Sequence, residues 1–206
     1  LVEFLSEQFV SRLNLNKKQK QKAQGYVFEI IKTCFSRDIP MHGYEGVKKV
    51  LEEFKEPNLG IDLIGDLRTD EYIFDKDREN FTSATNALLT GASRRMYEGL
   101  PVNIETLIDS KHSGSRTPVS IINVKHLEFN DQAYVVGYIA YLIWFWMQRL
   151  RGTYNPRIIF YIDEIGGGGG KRAFFPSVAT SPAKPALNLL LRQGRSQGVC
   201  CIFATQ

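Results

Sequence analysis

The chain has 206 residues, of which 43% are hydrophobic and 23% charged, and 26 lysines and arginines against 22 acids leave a net charge of +4. That length fits one domain with a substantial core, or a core with a helical appendage, in an ordinary globular composition. The mild charge permits a nucleic-acid partner without demanding one, and three cysteines exclude a disulfide-built scaffold.

Residues 1–10 and 21–35 place apolar side chains near a 3.6-residue period, which predicts two helices. The polar run NLNKKQKQK between them reads as a solvated linker exposing Lys17, Lys18, Lys20 and Lys22; a nucleic-acid contact is the rival reading. YEGVKKVLEEF (44–54) predicts a short amphipathic helix, and residues 60–75 a loop or short hairpin. Residues 80–98 predict a further helix with Asn80 as its cap. Residues 1–100 are therefore expected to form a mainly helical region, and residues 101–206 a different one.

From Thr117 the pattern changes. TPVSIINVK predicts a strand, residues 131–151 a long helix, RIIFYIDE a second strand, residues 185–197 an amphipathic helix, and VCCIFAT a third strand. Strands alternating with helices imply an α/β fold with a parallel sheet and right-handed crossovers. Continuous apolar strands imply helices over both sheet faces. The uncharged run AYVVGYIAYLIWFWM (133–147) is shorter than the about 18 to 20 apolar residues of a membrane span, so a core helix is expected. Glu128 and Asp131 ahead of it, and Arg149 and Arg151 behind, suit its dipole. Cys200 and Cys201 stand together in an apolar strand, as small buried hydrophobes of a reducing cytoplasm. His42, His112 and His126 lack metal-ligand spacing.

RIIFYIDEIGGGGGKRAFF (157–175) holds two phosphate-site signals. The glycine run fails as a phosphate-binding loop, because the first required glycine is Ile165 and the residue after Lys171 is Arg172 rather than Ser or Thr. Lys171 and Arg172 read as a solvated loop tip, with phosphate or DNA contact as the alternative. The strand before it carries more. Asp163 and Glu164 close its carboxyl end, where ligands of open parallel sheets sit, with a solvated turn as the alternative reading. One acid there suits magnesium, and the second suits polarising a water. VCCIFATQ, lying parallel, would bring Gln206 to the same edge, where its amide suits a phosphate oxygen and the lytic water. Arg192 and Arg195 would finish at the opposite edge, about 20 Å away, either solvated at a helix C-terminus or offered to a neighbouring subunit.

TPVSIINVKHLEFN, the long apolar helix, IIFYIDEIG and LNLLLRQGRSQGVCCIFATQ together resemble the HerA/FtsK group of hexameric motor ATPases, over roughly the last ninety residues. GASRRMYEGLPVNIETLI is a weaker echo upstream. The resemblance implies a RecA-like, P-loop parallel sheet with flanking helices, the first hundred residues being an inserted helical region. It further implies ATP and magnesium as cofactors, DNA as the moved partner, a homo-hexameric ring, a nuclease as accessory partner, a cytoplasmic setting and no membrane. By position it makes Asp163 the magnesium-supporting acid, Glu164 the catalytic base, Arg195 the arginine offered to the adjacent subunit's ATP and Gln206 the γ-phosphate sensor. Arg192 becomes an accessory. The sequence departs from the pattern in lacking G-x4-G-K-[ST], and in placing Ile165 and the glycine run after the acids. The chain is accordingly expected to be a later piece of such a motor, inactive alone. A type IV secretion or conjugation ATPase and a non-catalytic α/β oligomerisation or nucleotide-binding module are the alternatives.

Overall fold

The computed structural model describes residues 2–41, 43–56, 59, 63–64, 67–68, 75–90, 94–95, 97–99, 102–108, 117–166, 173–175 and 181–205. The chain divides into two compact units, Leu1–Pro101 and Val102–Gln206.

In the first unit, α1 (Val2–Arg12), α2 (Lys17–Ser36), α3 (Gly43–Lys55) and α4 (Asp75–Leu88) accompany a minimal antiparallel hairpin of β1 (Leu63–Ile64) and β2 (Leu67–Arg68). The basic run expected as a linker is largely helix. Asn16 caps α2, accepting from the Gln19 amide at 2.9 Å while the Gln19 side chain accepts from the Asn16 amide at 3.2 Å. This reciprocal box satisfies two amides that a helix start otherwise leaves bare, and lysine and glutamine are good helix formers. Lys22 pairs with Asp77, which relieves part of the like-charge crowding. The fourth helix starts at Asp75 and ends at Leu88, so Asn80 sits inside it and caps nothing. Asp75 and Asp77 occupy its first turn, where the helix dipole favours acids.

Tyr26, Phe54 and Phe81 form the centre of this unit, with ring centroids 5.5 and 5.3 Å apart along the chain of three. Glu53 is fully buried beside them. Its Oε2 accepts the Leu59 amide at 3.2 Å, and its carbonyl accepts the Tyr26 hydroxyl at 3.1 Å. Burial holds the Tyr26 phenol above its ordinary range.

The second unit contains α5 (Ile104–Ile108), α6 (Phe129–Met147), β3 (Ile158–Ile162), α7 (Lys184–Gln193), a 3-10 turn (Arg195–Gln197) and β4 (Val199–Phe203). Strands β3 and β4 run parallel, with Ile158 opposite Val199 and Ile162 opposite Phe203. The expected RecA-like sheet is not what forms. Helix dominates, with seven α-helices among the described residues, and the parallel sheet has two strands. Residues 117–124 form no strand and pair with no other strand among the described residues. Pro118 has no amide hydrogen to offer, the Ser120 hydroxyl donates instead to the Leu107 carbonyl at 2.7 Å, and Val119 and Ile121 are 81% and 90% exposed. A β-branched run becomes a strand only when a neighbouring edge takes its backbone groups.

Both helices lie on one face, not two. Ile158, Phe160 and Ile162 of β3 and Val199, Cys201 and Phe203 of β4 share a core with Ala133, Val136, Ala140, Ile143 and Met147 of α6 and Ala186, Leu187 and Leu190 of α7. Gly137 lets the approach to α7 close up, since a Cβ there would stand 2.9 Å from the Ala183 Cα. The alternate residues point out: Ile159 is 63%, Tyr161 56% and Ile202 46% exposed, and Cys200 stands beside Ile159. Among the described residues no helix is long and apolar enough to cross a membrane.

The two neighbouring thiols consequently differ. Burial, with the Cys200 thiol beside it, pushes Cys201 up to about 11, whereas Cys200 is exposed. Near pH 8, far below that value, Cys201 is almost wholly protonated and unreactive. Iodoacetamide is expected to alkylate Cys200 well before Cys201, as read by peptide mass; equal labelling would mean that the strand faces are misassigned.

Candidate functional site

The carboxyl edge of the β3–β4 pair is the candidate site. β3 delivers Asp163 and Glu164, and the parallel register sets them beside Ala204 and Thr205 at the end of β4. Two backbone bonds extend the ladder past the strands: the Ala204 amide donates to Ile162 and the Ile165 amide to Ala204, both at 3.0 Å. Gly166 lies so close to β4 that a Cβ would come within 2.5 Å of the Thr205 Oγ1.

Asp163 and Glu164 are both exposed. Asp163 Oδ1 accepts the Glu164 amide at 3.1 Å and the Tyr161 hydroxyl at 3.4 Å. Among the described residues Oδ2 receives no donor, so one oxygen is held and the other is not. Glu164 has φ +52°, in the left-handed region that glutamate rarely adopts. This sharp turn ends the strand alternation at Asp163. Ile165 anchors the turn from below: it is buried, and its carbonyl accepts the Phe174 amide at 3.0 Å. The residue that spoils a phosphate-loop reading therefore works as a plug.

The opposite edge carries the arginines. Arg192 lies in the last turn of α7 and Arg195 opens the 3-10 turn, both exposed. Arg195 precedes β4, and Asp163 follows β3, so five strand residues separate their levels. At about 3.3 Å per residue that is roughly 16 Å. Within one chain, Arg192 and Arg195 are not brought to the two acids. Gly198 (φ +76°) makes the entry to β4 possible, because a Cβ there would stand 2.6 Å from the Asn155 carbonyl oxygen.

Three residues of the sequence reading, Lys171, Arg172 and Gln206, lie outside the described residues. Thr205, one position before Gln206, is exposed at the acid edge. Tyr161 and Thr205 escaped the sequence reading. Tyr161 was detectable, since residues 161 and 163 share a face at the two-residue period of a strand. The left-handed Glu164 had no sequence signal.

Magnesium takes hard oxygen donors and often uses only one or two carboxylates, completed by water and phosphate. The exposed carboxylates of Asp163 and Glu164 fit that chemistry. No group of three or more His, Cys, Asp or Glu side chains gathers for a metal among the described residues, which sets a protein-only metal cage aside for them. Compared with known proteins, the chain matches no family model, no curated protein and no solved structure.

The left-handed turn has a measurable consequence. A non-glycine residue there costs about 1–2 kcal/mol, and glycine would return part of it through a freer unfolded chain. Glu164→Gly is expected to raise the unfolding free energy by about 1 kcal/mol in denaturant melts. A loss of stability in that variant would show that the turn carries no strain.

Proposed function

We propose that this chain supplies the acid edge and the arginine turn of an ATP-driven nucleic-acid motor of the HerA/FtsK type, acting in a ring of identical subunits. The observation that carries the reading is the parallel register of β3 and β4, which assembles Asp163, Glu164 and the end of β4 on one edge. In this reading Asp163 would hold the cation, and Tyr161 and the Glu164 amide steady its carboxylate through Oδ1. Glu164 accepts the proton of the attacking water, and Gln206 orients that water. A bound magnesium ion supplies charge neutralisation on the phosphates. The 206 residues contain no G-x4-G-K-[ST], so the phosphate cradle would come from outside them, and the chain alone is expected not to turn over ATP.

The arginines support the ring. Arg195 is separated from its own chain's acids by roughly a strand's length, so it would serve the nucleotide of the next subunit. A second reading, an assembly module without turnover, is favoured by the uncovered Ile159, Tyr161 and Ile202.

In the full-length protein Glu164→Gln is expected to keep ATP binding and lower turnover by about 10²- to 10⁴-fold, the usual worth of a positioned base. Near-normal hydrolysis in that variant would remove Glu164 from the role and favour the second reading. Arg195→Ala subunits mixed with Glu164→Gln subunits are expected to recover activity, because one interface then holds an intact pair. Mixtures no more active than either parent would place the arginine in its own subunit's site or in none.

A further inference from the structure

We infer that the amino edge of the second unit is a contact surface for single-stranded nucleic acid, built from Arg149, Arg151 and Arg192 with Tyr154 as a stacking platform. This inference does not rest on ATP hydrolysis, and it concerns the edge opposite the two acids.

The edge is assembled by the fold. α6 ends at Met147 and the chain enters β3 at Ile158, so residues 148–157 cross the amino end of the sheet. α7 ends at the same level, because the Gln193 Oε1 accepts both the Trp144 indole at 3.1 Å and the Gln148 amide at 3.2 Å. The crossing loop is fastened to the 3-10 turn. The Thr153 amide donates to the Ser196 carbonyl at 3.0 Å, and the Arg157 guanidinium donates to Arg151 and Gln197 carbonyls at 2.7 and 3.2 Å. Arg157 is thereby spent on structure. Arg149, Arg151 and Arg192 remain exposed, and none of them meets a carboxylate among the described residues.

Three unpaired guanidiniums on one edge repel one another and are stabilised by a polyanion. Arg149 lies over the Phe145 ring, 4.8 Å from its centroid. Tyr154 sits in the middle of the loop and is completely exposed. Exposed cations at one edge, with a fully exposed aromatic ring in the same connecting loop, match a phosphodiester strand whose bases are free to stack. A duplex offers no exposed base face to Tyr154. The lysine run of α2 has no comparable aromatic, and Lys22 is engaged by Asp77.

Fluorescence anisotropy with labelled oligothymidylate of about 20 nucleotides tests this, using the 206-residue chain without nucleotide at several salt concentrations. Three phosphate contacts predict a slope of log K against log salt of about −2. Arg149→Ala with Arg151→Ala is expected to weaken binding about 10-fold at low salt and to reduce the slope by about 1.4. Lysines at the same two positions should keep most of the affinity. Tyr154→Ala should weaken oligothymidylate about 10-fold and leave an abasic strand of equal length unchanged. Absence of binding at low salt, an unaltered affinity in the double arginine variant, or a loss that follows Lys17, Lys18 and Lys20 instead would overturn the inference. Equal effects of Tyr154→Ala on both strands would exclude the stacking contact.

Discussion

The parallel pairing of β3 with β4 is the constraint on which the second unit rests. Two strands pointing the same way cannot be joined by a tight turn, so α7 must cross back over the face between them. That crossover fills one face of the sheet with Leu187 and Leu190, and it fixes which residues meet at each edge. Everything chemical in this unit follows from the direction of ten residues. Antiparallel strands would have put Arg195 beside Asp163 and dispersed the acids from the end of β4.

Charge is consequently sorted along the strand axis. Asp163 and Glu164 finish at one edge, while Arg149, Arg151, Arg192 and Arg195 finish at the other. Such segregation has a stability cost, since like charges gather, and among the described residues no carboxylate offsets it at the arginine edge. The first unit does the reverse. Its surface charges neutralise locally, as in Lys22 with Asp77 and Arg94 with Glu98, and its buried Glu53 is tied down by the Leu59 amide. One unit spends its charges on holding itself together, and the other displays them.

The outer sheet face is the second unresolved demand of this unit. Ile159, Tyr161 and Ile202 would each contribute on the order of 1–2 kcal/mol if covered, and no described element covers them. Neither free edge of the sheet carries the lysine, proline or bulge that natural proteins use to blunt an exposed strand. Tyr161 shows how this face and the candidate site are joined, because its ring lies on the open side while its hydroxyl reaches Asp163. Anything that packs there would touch the acid edge as well.

Much of this was legible in the sequence where the signal was local. The apolar helix before RIIFYIDE and the two apolar strands RIIFYIDE and VCCIFAT follow from periodicity and backbone preference, which neighbours along the chain enforce. The α2 start was misread although Asn16 and Gln19 carry its capping box, because the lysines around them look like solvated linker. Pairing was beyond local reading. Residues 117–124 have the composition of a strand, yet whether an edge arrives to bond them depends on residues far away. The same holds for the single covered face, the left-handed Glu164 and the arginine edge. Each is set by where a crossover brings distant backbone together, and no short window of sequence encodes that.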